Sequence, residues 1–316
     1  MLQRRTMKGN SLRRIPFILQ CAPVLHLFAT PKQGGTNPVY SRNGRDRPDG
    51  AIHGKGPPPA MPQLTFLGTG TSNGIPMIGC QCPVCHSTDP KDWRNRSSAV
   101  VRWNGRTYLI DTATELRIQA LALGLSEIDA VIMTHAHADH TGGFDDLRRF
   151  NELAQRRLPV YAGAETAAIL RERYAYAFTE EFPFFGGKPD LNLFEVEDAF
   201  YPFGDPVVPV PVMHGRTLVH GFRFGPLAYV TDAKIIPDES MERLAGVDTL
   251  VINALRERPH PTHLSVEDAL AIIDQLKPRQ AFLTHISHEL SHAAGSALLP
   301  DGVAMAYDGL VIEAAE

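Results

Sequence analysis

The chain has 316 residues, 43% of them hydrophobic, and a formal net charge of −4. That is enough apolar material for one large domain, or a domain with an appendage. The charge is uneven: residues 1–60 hold ten Lys and Arg against two Asp, a balance of +8, which leaves −12 on the remainder. An acidic main portion argues against a broad nucleic-acid-gripping surface, and the split suggests two segments with different physical tasks.

Residues Ile15 to Ala29 are largely apolar behind Arg13-Arg14, but Pro16, Gln20, Pro23 and His26 interrupt them, the run is too short to span a bilayer, and no convincing cleavage site follows. From Lys32 to Ala60 the chain is rich in Gly, Pro, Asn and Arg and offers too little apolar surface to offset ordering entropy. The expectation is a disordered basic extension over residues 1–61 and a folded domain over 62–316. Met61 fits a start of translation, which would make the upstream residues an artefact; a targeting or interaction tail is the other reading.

In the folded portion Leu64 to Leu67 reads as a first strand, and Ser98 to Trp103 with Thr107 to Asp111 as a hairpin around Asn104-Gly105. Helical patterns fall at Glu115 to Ala122, Phe144 to Gln155, Ala164 to Tyr176, Met241 to Leu244 and Val266 to Leu276, with strands between them. The aromatic stretches Tyr174 to Phe178 and Phe182 to Phe185 are read as core, a dimer face of a homodimer, or a substrate-pocket lining. No internal repeat stands out.

The strongest signal lies behind the strand Ala130 to Met133, where Thr134-His135-Ala136-His137-Ala138-Asp139-His140 packs three imidazoles and a carboxylate into six residues. On an extended segment His135, His137 and Asp139 project to one face, and a turn at Asp139-His140 swings the last imidazole to a neighbouring position. One short segment then feeds two metals, and imidazole with carboxylate suits zinc, manganese or iron. Gly142 and Gly143 permit close backbone approach behind it.

This His-x-His-x-Asp-His run followed by Thr-Gly-Gly resembles the signature of the metallo-beta-lactamase-fold hydrolases. The resemblance implies an α/β fold, a four-layer αβ/βα sandwich, and further ligands at strand ends. His214 follows Val207 to Met213, Asp232 follows Leu227 to Val230, and His285 follows Gln280 to Thr284, in the order that the family requires. By resemblance, His135, His137 and His214 hold one metal and Asp139, His140 and His285 the other, with Asp232 bridging. The implied cofactors are two catalytic divalent metals, zinc or manganese.

Cys80, Cys82 and Cys85 place three thiols in six residues, and His288 falls three positions after His285. Three Cys and one His make a closed tetrahedral zinc site, one structural zinc that adds stability without leaving a position open for chemistry. A disulfide or a redox thiol is the other reading, although three clustered Cys cannot all pair among themselves. Together with Thr69 to Pro76, this cluster resembles the phosphodiesterase branch, in particular the phosphoribosyl 1,2-cyclic phosphate phosphodiesterases of phosphonate catabolism. The resemblance covers roughly Gln63 onward. It implies a small-molecule phosphodiester substrate, hydrolysed by metal-bound hydroxide, and a loop His that protonates the leaving oxygen or steadies the phosphate. His263 is the better match, with His260 as the fallback. Asp139 and His263 are thus the catalytic candidates.

Alternatives within the superfamily are a ribonuclease Z-like RNA endonuclease, which needs a basic RNA-gripping arm not evident here, and a thioester or lactone hydrolase, which needs no phosphate-binding residues. A non-enzymatic binding module has little reason to carry all seven catalytic ligands. Thiolate zinc ligands fit a reducing compartment, so a cytoplasmic location with no membrane partner is expected.

Overall fold

The computed structural model describes residues 60–179 and 187–315. Residues 1–59 of the expected extension and the aromatic run Phe182 to Phe185 lie outside the described residues.

One sheet contains β1 (Gln63–Gly68), β2 (Ser98–Trp103), β3 (Arg106–Ile110), β4 (Ala130–Met133), β5 (Leu158–Ala162) and β6 (Leu191–Glu195). The second contains β7 (Val207–His214), β8 (Thr217–Phe224), β9 (Leu227–Val230), β10 (Thr249–Asn253), β11 (Gln280–Thr284) and β12 (Val303–Met305), and β13 (Val311–Glu313) returns to the first sheet beside β1. The strand orders are β13-β1-β2-β3-β4-β5-β6 and β12-β11-β10-β9-β8-β7. The expected hairpin is present: Trp103 pairs with Arg106 across Asn104 and Gly105, both at positive φ, as a two-residue turn with the right-handed strand twist demands.

Strand side chains alternate between two apolar environments because both faces of each sheet are covered. In β4, Ala130 and Ile132 join the core between the sheets, while Val131 and Met133 join the core under the helices. The inter-sheet core is aromatic, with Phe66, Tyr108, Phe222, Phe224 and Tyr229 all buried. Each such phenylalanine contributes roughly 1.5–3 kcal/mol by leaving water.

The outer face of the first sheet is covered by α1 (Leu116–Leu123), α3 (Leu147–Ala154), α4 (Ala164–Arg173) and α5 (Ala175–Phe178), with the single turn α2 (Ala138–Thr141) at its end. The second sheet is covered by α6 (Asp238–Leu244) and α7 (Val266–Leu276), and α8 (His292–Ala297) places Gly295 against Met305 of β12. The result is the four-layer αβ/βα sandwich. No helix among the described residues is long and apolar enough to cross a membrane.

Two expected helices are divided. The segment from Phe144 opens as a 3-10 turn over Phe144–Asp146 before α3, a common way to enter a helix. The pattern across Ala164 to Tyr176 breaks at Tyr174, whose ring stacks on Phe144 with centroids 4.6 Å apart and whose hydroxyl donates to the Thr141 carbonyl at 2.6 Å. Tertiary anchoring overrides helix propensity there. Tyr174, Tyr176 and Phe178 pack against the core under the helices, so this aromatic stretch is core.

Strand direction places the candidate residues. β3 to β6 run parallel, as do β9, β10 and β11; β7 pairs antiparallel with β8 and β8 with β9, so β7 runs the same way as β9. Carboxyl ends of parallel strands open on a common edge, the usual location of sites in such sheets. His135 lies just past β4, His214 ends β7, Asp232 lies just past β9 and His285 follows β11.

Candidate metal centre and active site

The segment after β4 is not extended throughout. His137, with φ −64° and ψ 152°, caps α2, so Asp139 and His140 sit on a helical turn. Successive helical residues point about 100° apart, which separates Asp139 from His140 more sharply than the expected turn. The turn is held close to the loop after β3: a Cβ on Gly143 would stand 2.3 Å from the Ala113 carbonyl oxygen, so only glycine fits. Arg173 of α4 clamps it from the other side, donating to the Ala136 carbonyl at 2.6 Å and to Thr141 Oγ1 at 2.8 Å.

The hydrogen-bond network assigns a tautomer to four imidazoles. Thr134 Oγ1 donates to Asp111 Oδ2 at 2.7 Å, so it accepts from His135 Nδ1 at 3.0 Å. His140 Nδ1 donates to Asp111 Oδ2 at 2.7 Å, and His214 Nδ1 to the Thr262 carbonyl at 2.8 Å. Ser97 Oγ donates to the Gly70 carbonyl at 3.0 Å and accepts from His285 Nδ1 at 3.1 Å. Each ring thereby turns an Nε2 lone pair to the interior, the arrangement in which an outer partner orients a metal-binding imidazole, and at His285 that nitrogen also accepts from Thr71 Oγ1 at 3.1 Å.

Those Nε2 atoms converge. His135 Nε2 lies 3.0 Å from His137 Nδ1, and the His214 ring is 5.8 Å from that of His135 and 5.2 Å from that of His137. His140 Nε2 lies 3.4 Å from Asp139 Oδ2 and 3.3 Å from Asp232 Oδ2, and Asp232 Oδ1 is 3.3 Å from His285 Nε2. Asp232 thus stands between the two halves of the cluster. The structure brings together all seven residues expected to serve two metals.

Asp232 and His285 adopt left-handed backbone conformations, φ 57° and 58°, and so does Asp111 at 58°. Such conformations are costly for residues with a Cβ and cluster where function over-determines the backbone. Asp111 is the residue that sequence reasoning missed. It is fully buried at the end of β3, accepts from the Thr134 amide at 2.8 Å as well as from Thr134 Oγ1 and His140, and so ties three consecutive parts of the site. An aspartate ending an apolar strand was the available signal. Ser97 and Thr262 carry none, because their partners are distant in sequence.

The electrostatics fit divalent cations. Burial lowers the pKa of His135, His137 and His285, keeping them neutral as ligands must be. Burial also works against a charge on His140, yet the Asp232 and Asp111 carboxylates outweigh it and raise that pKa well above the ordinary value. A positive charge is therefore demanded where His140 Nε2, buried and without a hydrogen bond, faces Asp139 and Asp232. A proton answers that demand with one charge, and a divalent ion answers it with two.

His263 joins the same cluster, its ligand atom within 4.8 Å of those of His214 and Asp232. Its Nδ1 is buried without a hydrogen bond, 3.8 Å from Asp232 Oδ1. Burial, then the neighbouring His285, lower its pKa to about 3. His260 is half-buried and 5.2 Å from His263 ring to ring, with Nδ1 3.3 Å from the Thr262 amide that donates to it.

The second cluster is also assembled. Cys80, Cys82 and Cys85 place their sulfurs 3.3, 3.4 and 3.7 Å from His288 Nδ1. Zinc with ordinary Zn–S and Zn–N bonds gives an S···N tetrahedron edge of about 3.6 Å. The donor set and spacing therefore fit zinc. A backbone hydrogen bond from Cys85 leads the effects that lower the Cys82 thiol to about 6, whereas burial raises Cys85 to about 11.

Comparison with known proteins agrees with this geometry. The family model of the beta-lactamase superfamily domain matches residues 106–286. A crystal structure described as a new diphosphatase from the PhnP family is 42% identical, with a TM-score of 0.75, and the match covers 81% of this chain and 98% of that one. Zinc-bound PqqB from Methylobacterium extorquens shares the fold at 18% identity, TM-score 0.66, over 79% of this chain and 99% of its own. A protein named octanoyltransferase from Porphyromonas gingivalis is 40% identical over 251 residues, 78% of this chain, and the chain spans 50% of that relative's length.

Proposed function

This chain belongs to the beta-lactamase superfamily and is a metallo-beta-lactamase-fold hydrolase, and from that premise we propose that it hydrolyses small or cyclic phosphodiesters at a dinuclear metal centre. The observation that carries the proposal is the convergence of five imidazoles and two carboxylates on one cluster, with His263 beside Asp232.

His135, His137 and His214 would hold one ion, Asp139, His140 and His285 the other, and Asp232 both. Zinc or manganese bound there would lower the pKa of water toward neutrality and neutralise phosphoryl oxygens. The chain's own residues set the geometry. Asp111, Thr134, Ser97 and Thr262 lock the imidazole rings, and Arg173 holds the turn that carries Asp139 and His140. Water adds to phosphorus and gives up a proton to solvent, the P–O bond to the leaving group breaks, and the departing oxygen takes a proton from His263, which regains one from solvent. That imidazole is neutral among protein groups alone, and an anionic phosphoryl group beside it would shift it toward the protonated form that the step needs. Cys80, Cys82, Cys85 and His288 would hold a structural zinc away from the chemistry.

The diphosphatase at 42% identity favours a second reading in which the scissile bond is a phosphoanhydride. Both readings use the same residues and differ in the leaving group. The experiment is hydrolysis of a chromogenic phosphodiester, a cyclic phosphodiester, a diphosphate ester and an octanoyl thioester by zinc- or manganese-loaded protein, with Asp139→Ala as control. Turnover of the diesters that the control loses supports the proposal. Turnover confined to the diphosphate selects the second reading, and turnover confined to the thioester overturns both.

A further inference from the structure

A separate cavity, largely apolar in its lining, lies one strand along the same sheet edge. Its volume is about 370 Å³, and it is walled by the start of α4 (Gly163 to Thr166), by Val196 and Glu197 after β6, and by Pro211, Leu218 and His220 of the β7–β8 pair. It contains none of the residues placed in the metal centre.

Two independent features point into it. The first turn of α4, a ten-residue helix, has no side-chain cap at Gly163, and among the described residues no bond reaches the amides of Ala164, Glu165 or Thr166. Such amides, with the positive end of the helix dipole behind them, accept an anion readily. The second feature is His220, 8% exposed, whose Nδ1 is buried with no hydrogen-bond partner. A buried imidazole nitrogen without a partner forfeits the hydrogen bond it had in water unless a ligand or ordered water restores it. Its ring lies so close over the helix start that a Cβ on Gly163 would stand 2.4 Å from His220 Cε1. Glycine at that position lets the imidazole lie beside the free amides, and the absent side-chain cap leaves the amides unblocked.

We infer that this cavity binds a small oxyanion, a phosphate or carboxylate group, held by the α4 amides and an imidazole N–H of His220. The exposed Glu165 and Glu197 at its mouth set the sign of the test, since they oppose an anion and would favour a cation. The His220 amide donates to the Thr134 carbonyl at 3.0 Å, so the site is built on the strand end that leads to His135.

The test is titration of full-length, metal-loaded protein with inorganic phosphate and, separately, acetate, following backbone amide resonances of residues 164–166. Residue-resolved readout separates this cavity from anion binding at the metals, so the result stands whatever the hydrolase acts on. Saturable shifts at these amides are expected, with phosphate alone assigning a phosphate site and with both anions assigning a general oxyanion site. His220→Leu should weaken binding about tenfold, as expected for loss of a hydrogen bond to a charged group. Glu165→Gln with Glu197→Gln, both surface changes, should tighten it. Amides unmoved by either anion, or a glutamine double variant that binds more weakly than the parent, would overturn the inference.

Discussion

At the residue scale, four of the five imidazoles of the centre, those of His135, His140, His214 and His285, owe their orientation to a partner that is not itself a ligand. Asp111 is the sharpest instance, because one carboxylate fixes His140 directly and His135 through Thr134. Asp111→Asn keeps the volume but replaces an acceptor with a donor, so His140 loses its orienting charge. The variant should bind the catalytic metals about 10–100-fold more weakly, measured by competition with a chromophoric chelator, with Cys-site zinc unaffected. His263 gives a prediction in pH. Its folded pKa of about 3 lies below the ordinary histidine value, so the fold disfavours its charged form. Stability is fully present above about pH 6.5, the unfolded value, and is lost as the pH falls from there toward about 3. Metal-stripped His263→Leu should therefore lose less stability than the stripped parent between pH 6.5 and 4.5, seen as a smaller fall in urea midpoint.

At the element scale, α7 joins two halves of the site through its first turn. Ser265 caps the helix in a capping box with Asp268, and Asp268 also accepts from Lys234, two residues past Asp232. The Leu264 amide donates to the Ala233 carbonyl, closing the link between the His263 loop and the Asp232 loop. Ser265→Ala should cost about 1 kcal/mol of stability by denaturant titration, with the loss falling on turnover through His263 more than on metal content. Elements also show where sequence reasoning stops. β4 and the strands before His214, Asp232 and His285 were legible because apolar runs buried on both faces end at charged residues. The break at Tyr174 was not, because a stacking partner, Phe144, lies thirty positions earlier. The turn of α2 was hidden because His135, His137 and Asp139 at alternate positions read as a strand, whereas His137 caps a helical turn.

At the scale of the whole molecule, two sheets that each send parallel strand ends to one edge gather residues spread from Asp111 to His285. The ligand types were legible from a short motif and its distant partners in order. Their tautomers were not, since those depend on contacts such as Ser97 to His285 and Thr262 to His214, between residues far apart in the chain. The separation of the Cys cluster from the hydrolytic cluster is likewise architectural: His285 and His288 share one loop yet face different clusters. The central claim is a two-metal hydrolytic centre beside a separate structural zinc. Element analysis of parent protein, Cys82→Ser and Asp139→Ala after dialysis tests it most directly. The account predicts about three metals per parent chain, about two in Cys82→Ser with the loss confined to zinc, and a deficit in Asp139→Ala confined to the catalytic pair. A parent that holds about one metal per chain, all of it lost in Cys82→Ser, would contradict the account.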